Sequence, residues 1–242
     1  MKHLDDRHAR YLSQLVELAE LTVPSGAQRT LLEHLDWVLE QNRFLNLTSI
    51  TDPFSAVRLH VLDSLMVLPE VVSAPRGRLL DLGTGAGFPG FPLAVVANRE
   101  AMLLDSVSKK VTSLGEFLAS QQLAQVVVAQ AGRAEELAVL CPSGFAVVTA
   151  RAVSALPSLV ELATPVLGQG GTLIAMKGQI EEEEIRRGDE AAGLLGMERV
   201  GLRQYLLPEG GEARTVVTFR SSGERGVSVP RRVGMAQRKP LA

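Results

Sequence analysis

The sequence predicts an α/β fold: a sheet of seven strands, five parallel and two forming a C-terminal antiparallel hairpin, behind an N-terminal helical cap. Three observations carry this. Over the first seventy residues or so, apolar side chains recur at spacings of three and four, the helical period. Beyond them, short runs rich in apolar and β-branched residues alternate with helical patterns, as in a parallel sheet covered on both faces. The last two such runs are joined by a link too short for a crossover helix, so they must pair antiparallel.

Leu12, Leu15, Val16, Leu18 and Ala19 mark a first helix and Leu31, Leu32, Leu35, Val38 and Leu39 a second, separated by Pro24-Ser25-Gly26. Asn46 to Asp52 is poor in helix formers and separates the second from a third helix running from His60 to Leu68. Ser73 to Gly77 reads as a linker, which divides the chain into a cap (1–72), an α/β domain (73–220) and a basic tail (221–242). Parallel strands are expected at Arg78 to Leu82, Met102 to Asp105, Val126 to Gln130, Phe145 to Thr149 and Thr172 to Met176. Leu202 to Leu207 and Thr215 to Phe219 form the hairpin. The acidic patch Glu181 to Glu184 reads as a solvated helix face.

With 242 residues and 46% apolar content, the chain can bury a large core, and disorder is excluded. The first twenty residues carry charges throughout, and no run of eighteen apolar residues exists, so a soluble, cytoplasmic protein with no membrane association is expected. A lone Cys141 closes no intramolecular disulfide, and His3, His8, His34 and His60 show no metal-ligand spacing; no metal is expected. The net charge of −2 conceals an asymmetry: residues 220–242 carry six basic side chains and one acid, leaving a tail of +5 on a body of −7. Such a tail suits a polyanion or simply solvent.

The strongest local signal is Asp81-Leu-Gly83-Thr-Gly85-Ala-Gly87-Phe-Pro-Gly90, between a strand and an apolar helical run. Glycines let a backbone turn tightly against a ligand, and the following helix is expected to offer unpaired amides. Asp105 follows 22 residues after Gly83, at the end of the second strand, where a carboxylate can accept both ribose hydroxyls. Together they describe a nucleoside pocket. Gly85-x-Gly87-x-x-Gly90 also satisfies the dinucleotide fingerprint, which keeps an NAD(P)-dependent oxidoreductase open. The cap, Asp81 opening the loop and the closing hairpin instead resemble the Rossmann-like class I methyltransferases, which use S-adenosylmethionine.

For a methyltransferase, missing side chains narrow the acceptor. Pyrimidine C5 chemistry needs a cysteine nucleophile, and Cys141 precedes the fourth strand, on the wrong end. Exocyclic amines are gripped by an Asn/Asp-Pro-Pro-aromatic loop after the fourth strand, where this chain reads Thr149-Ala-Arg151-Ala-Val153. Ribose hydroxyls call for a Lys-Asp-Lys-Glu set, and Lys177 stands without one. What remains is a nucleophile that needs no base, and guanine N7 qualifies.

Six further stretches carry a resemblance to one family: Asn46-Leu-Thr-Ser49, His60-x-x-Asp63-Ser64-Leu65, Leu103-Leu-Asp-Ser-Val-Ser-Lys-Lys110, Gly132-Arg-Ala-Glu135, Ala150-Arg-Ala-Val153 and Gly170-Gly-Thr-Leu-Ile-Ala-Met-Lys-Gly178. With the glycine loop they resemble the RsmG (GidB) family of 16S rRNA guanine-N7 methyltransferases. The resemblance implies methyl transfer from S-adenosylmethionine to one guanine, position 527 in the 530 loop of 16S rRNA; the expected partner is that RNA within the 30S subunit or an assembly intermediate, and the expected state is a monomer. It also implies that Gly83, Gly85 and Phe88 line the methionine and ribose side, Asp105 the ribose, and Ala134 with Glu135 the adenine. Arg151 is the catalytic candidate at the junction of cofactor and substrate, expected to hold the methionine carboxylate, a phosphate or guanine O6. His60, Asp63 and Ser64 either border the RNA cleft or cap the third helix; Lys177 and the tail are open to RNA. A non-catalytic ribosome-assembly factor that binds RNA is the remaining reading.

Overall fold

The computed structural model describes residues 3–223 and 225–242; Met1 and Lys2 of the cap and Glu224, the tail's one acid, lie outside them. Asp5 caps α1 (Asp6–Leu18) by accepting the Arg7 amide at 3.0 Å, and α2 (Ser25–Leu45) follows the break at Pro24. The third helical segment starts earlier than its apolar spacing predicts. Asp52 accepts the Ser55 amide at 2.8 Å and Pro53 occupies the first turn, so α3 (Pro53–Ala56) begins where the loop was expected to continue. It runs into a π-helical stretch (Val57–Leu62) and α4 (Asp63–Leu65), then after a turn α5 (Leu68–Ser73). A wider π turn inside a helix is a frequent mark of a functional site.

The sheet has seven strands in the order β3-β2-β1-β4-β5-β7-β6. They are β1 (Leu79–Leu82), β2 (Ala101–Asp105), β3 (Val127–Ala131), β4 (Phe145–Arg151), β5 (Leu167–Lys177), β6 (Met197–Leu206) and β7 (Ala213–Ser221). β1 to β5 are parallel, and β7 pairs antiparallel with both β5 and β6, as the short link requires. Helices α6 (Gly90–Ala97), α7 (Ser108–Ser120), α8 (Ala134–Leu140), α9 (Leu156–Ala163) and α10 (Glu182–Leu194) cover it. The cap does not stand apart: Leu12, Leu35 and Leu62 pack in one cluster with Leu79, Phe91 and Leu103. The opposite face of the sheet packs a second cluster, with Leu80, Val148, Leu159 and Phe219.

Because chain order reverses between β1 and β4, the loops leaving these strands diverge and open a crevice at their carboxyl ends. The glycine loop, Asp105, Gly132 to Glu135 and Arg151 all lie there.

Candidate active site

The glycine loop is built from below. Asp81, fully buried, accepts the Gly90 amide at 2.9 Å and the Thr149 hydroxyl at 2.9 Å, tying the start of α6 to β4. A Cβ at Gly90 would stand 2.4 Å from that of Asp81, so only glycine allows this approach. Burial pushes the Asp81 carboxyl up to about 6 against the pull of its hydrogen bonds. Beneath the loop, His34 Nε2 lies 2.8 Å from the Ala86 carbonyl, so that nitrogen carries the proton, and the ring sits among Phe88, Phe91 and Trp37. Burial drives its pKa down to about 3; the same cause, with Arg151 nearby, lowers His60 to about 4.

A dependence of stability on pH follows. Both rings bind fewer protons folded than unfolded, so their contribution is intact above pH 6.5 and is lost as pH falls toward 4. Asp81 acts oppositely, favouring the fold as pH drops from about 6 toward 3.8. Two groups against one leave a net loss on the order of 3 kcal/mol between pH 6.5 and 4. Urea titrations followed by Trp37 fluorescence should show it; an unchanged midpoint across that range would refute the assignment of neutral, buried rings.

Apart from that of Ala86, the amides of the loop are spent internally. Gly83 and Thr84 donate to the Leu104 carbonyl, Gly87 and Phe88 to that of Thr84, Gly90 to Asp81, and Gly85 to Asp105 Oδ2 at 2.9 Å. This corrects the expectation of unpaired amides at the helix start. It also disfavours a dinucleotide, whose pyrophosphate needs those donors and would meet the Asp81 carboxyl behind them. Asp105 is fixed by two amides, with Val107 donating to Oδ1 at 2.8 Å.

Two cavities flank the end of β4. The first, of about 260 Å³, is lined by Gly83, Asp105, Ala134, Glu135 and Ala152 among others. The second, of about 610 Å³, is lined by His60, Asp63, Arg151, Lys177, Glu184 and Arg214, and by Ala152 again. Ala152, at φ +56, belongs to both walls, a left-handed conformation costly for a residue with a Cβ and typical of functional turns. The first cavity fits a nucleoside: carboxylates suit ribose hydroxyls and an adenine amine, and a Cβ on Gly85 would meet nothing within 4 Å, so the loop's surface is open.

Arg151 does not point freely into the junction. Its Nη1 donates to Asp63 Oδ2 at 2.9 Å and to the Leu59 carbonyl, within the π-helical stretch, at 3.2 Å. Arg214 Nε donates to the other oxygen of Asp63 at 2.8 Å, so one buried carboxylate holds two guanidinium groups. Lys177 is not an exposed lysine; it pairs with Glu184 at 2.8 Å and donates to the Ser154 carbonyl at 2.9 Å. Glu184 thereby leaves the expected solvated face of α10, and it also accepts the Leu156 amide.

The structure thus brings Gly83, Asp105, Ala134 and Glu135 to one cavity and Arg151 to its neighbour. Gly85 stands at the edge through its bond to Asp105. Phe88 lies elsewhere: it is 5% exposed, stacked on His60 at 5.0 Å with Arg151 5.8 Å from its centroid, outside the Asp105 cavity lining. Ser64 is buried, its hydroxyl donating to the His60 carbonyl, and it supports the helix. Sequence reasoning missed Arg214, which sits in the hairpin 151 residues from Asp63 with no local motif to mark it.

A sheet of this order, with a glycine turn after β1 and an acid ending β2, is the fold of the class I S-adenosylmethionine-dependent methyltransferases. The fold is similar to that of an O-methyltransferase from Bacillus cereus solved in complex with SAH, at TM-score 0.54 and 17% identity, covering 78% of this chain and 91% of that one. Residues 27–208 match the family described as GidB, rRNA small subunit methyltransferase G. The chain is 38% identical over 203 residues to Ribosomal RNA small subunit methyltransferase G of Deinococcus radiodurans, covering 83% of this chain and 80% of the relative. Over 237 residues it is 36% identical to the protein of the same name from Symbiobacterium thermophilum, covering 94% and 95%. The chain belongs to this family.

Proposed function

We propose that the protein methylates N7 of a single guanine, position 527 in the 530 loop of 16S rRNA, acting in the cytoplasm on the 30S subunit or an assembly intermediate. One observation supports the choice of acceptor: among the described residues, the cavity beside Arg151 holds no side chain suited to take a proton near neutral pH. Its carboxylates are Asp63, shared by Arg151 and Arg214, and Glu184, held by Lys177. Its imidazole, His60, is depressed to about 4 and engages the Thr48 hydroxyl at 2.8 Å, so it is a poor proton acceptor at neutral pH. An exocyclic amine or a hydroxyl would need such a group. Guanine N7 carries no proton and needs none.

S-adenosylmethionine supplies an electrophilic methyl on a sulfonium. The N7 lone pair forms the new bond to that carbon as the carbon–sulfur pair returns to sulfur, and the positive charge passes to the base. The protein's part is alignment across Ala152, an effect of about 7 to 11 kcal/mol where reactants are well oriented. Since the product is cationic, Arg151 serves at the methionine carboxylate, a phosphate or guanine O6 rather than at N7. Asp105 holds the ribose and Glu135 the adenine amine.

Labelled S-adenosylmethionine and unmodified small subunits test this, with the methylated nucleotide mapped by chain cleavage at N7-methylguanine. One cleavage at position 527 is expected, with a single-turnover rate that is flat from pH 6.5 to 8.5. Label on a ribose or an exocyclic amine, or a sigmoid from a side-chain base in that range, would overturn the reading.

A further inference from the structure

The segment after β7 is not a solvated tail. Arg231 lays its guanidinium across the Glu161 carboxylate of α9, with contacts of 2.7 and 2.6 Å, and the Glu161 side chain is only 3% exposed. Ala236 is 2% exposed and its carbonyl accepts the Ser158 hydroxyl at 2.8 Å. Arg187 donates to the Ala242 carbonyl at 2.7 Å, and Leu241 packs on the core of that face. These contacts, from three sites on α9 and α10, seat α11 (Met235–Arg238) beside the Asp105 cavity. There the Gly234 amide donates to Glu135 Oε1 at 2.8 Å, and Gln237 lines the cavity together with Asp105, Ala134 and Glu135.

We propose that this C-terminal segment is the outer wall of the cofactor pocket and that Gln237 is a cofactor-binding residue at its adenine end. The inference rests on reading that cavity as the cofactor site. The order of the strands sets the end: Asp105 closes β2 and takes the ribose, so the neighbouring loop after β3, with Ala134 and Glu135, meets the base. A glutamine amide offers one donor and one acceptor side by side, the pattern that matches an adenine amine and its adjacent ring nitrogen. Glu135 is part of the same device. Its Oε1 is held by Gly234, which orients the carboxylate and, among the described residues, leaves Oε2 without a hydrogen bond and open to the amine. Cofactor binding and docking of the segment therefore reinforce each other, since a ligand that contacts only the docked state stabilises it.

The test is calorimetric titration of the full chain with S-adenosylhomocysteine. Gln237→Ala should raise Kd about fivefold, the loss of one or two hydrogen bonds, with the ligand-free Tm unchanged because the side chain is exposed. Arg232→Ala, the exposed neighbour of Arg231, should bind as the parent does. Hydrogen exchange at residues 232–240 should slow when the ligand is added. Unchanged affinity in Gln237→Ala, or an equal loss in Arg232→Ala, overturns the inference. Asp105→Ala separates the two failures: if it abolishes binding while Gln237→Ala does not, the pocket stands without its wall; if neither weakens binding, the pocket assignment falls as well.

Discussion

Arg151→Ala is expected to lose about 10²-fold or more of single-turnover methyl transfer, the scale of a misaligned reacting pair, while losing no more than about 2 kcal/mol of stability. The asymmetry comes from Asp63. That buried carboxylate keeps Arg214 at 2.8 Å when Arg151 is removed, so no unpaired charge is left behind. Arg151, by contrast, is anchored through Nη1 alone; among the described residues its Nε and Nη2 make no hydrogen bond, and the residue lines the larger cavity together with Ala152. Arg151→Lys should not rescue turnover. A single ammonium cannot keep Leu59 and Asp63 in place and still present a planar pair of donors to a ligand. Rapid-quench kinetics with saturating S-adenosylmethionine, alongside thermal unfolding, would check both; turnover within threefold of the parent would remove Arg151 from the reaction.

The anchoring of Arg151 shows which parts of the site a sequence displays. Gly83, Asp105 and Glu135 are legible because strand, turn and helix alternate along the chain: Gly83 follows β1, Asp105 ends β2 and Glu135 opens the helix after β3, each behind a short apolar run that announces its strand. Strand edges are less legible. β5 begins at Leu167 rather than Thr172 because Gly168, Gly170 and Gly171 carry no side chain to show a period. β6 begins at Met197, five residues before the expected start, because on an edge strand with one exposed face the run Glu198 to Gly201 looks like loop. What the sequence hides altogether is the pairing of charges between different elements. Asp63 with Arg214, Lys177 with Glu184 and Glu161 with Arg231 join residues with no common motif, and each turns a nominally solvated cation into a fixed part of the molecule.

The last of those pairs carries the largest expected effect on folding. Arg231→Ala should cost about 3–5 kcal/mol, because Glu161 is buried and Arg231 supplies its ion pair, so its removal leaves a buried carboxylate on α9 without compensation. A tail that merely floats in solvent would predict almost nothing for this substitution. Arg232→Ala, one residue on and exposed, should change stability by no more than about 0.5 kcal/mol, which separates loss of the buried pair from loss of positive charge. Replacing both partners, Glu161→Leu with Arg231→Met, should recover most of the stability, since an apolar pair of similar volume removes the desolvated charge along with its counterion. Urea unfolding at pH 7 distinguishes the three. Equal midpoints for Arg231→Ala and Arg232→Ala would mean that the C-terminal segment is undocked in solution, and with it would go the wall it forms beside Glu135.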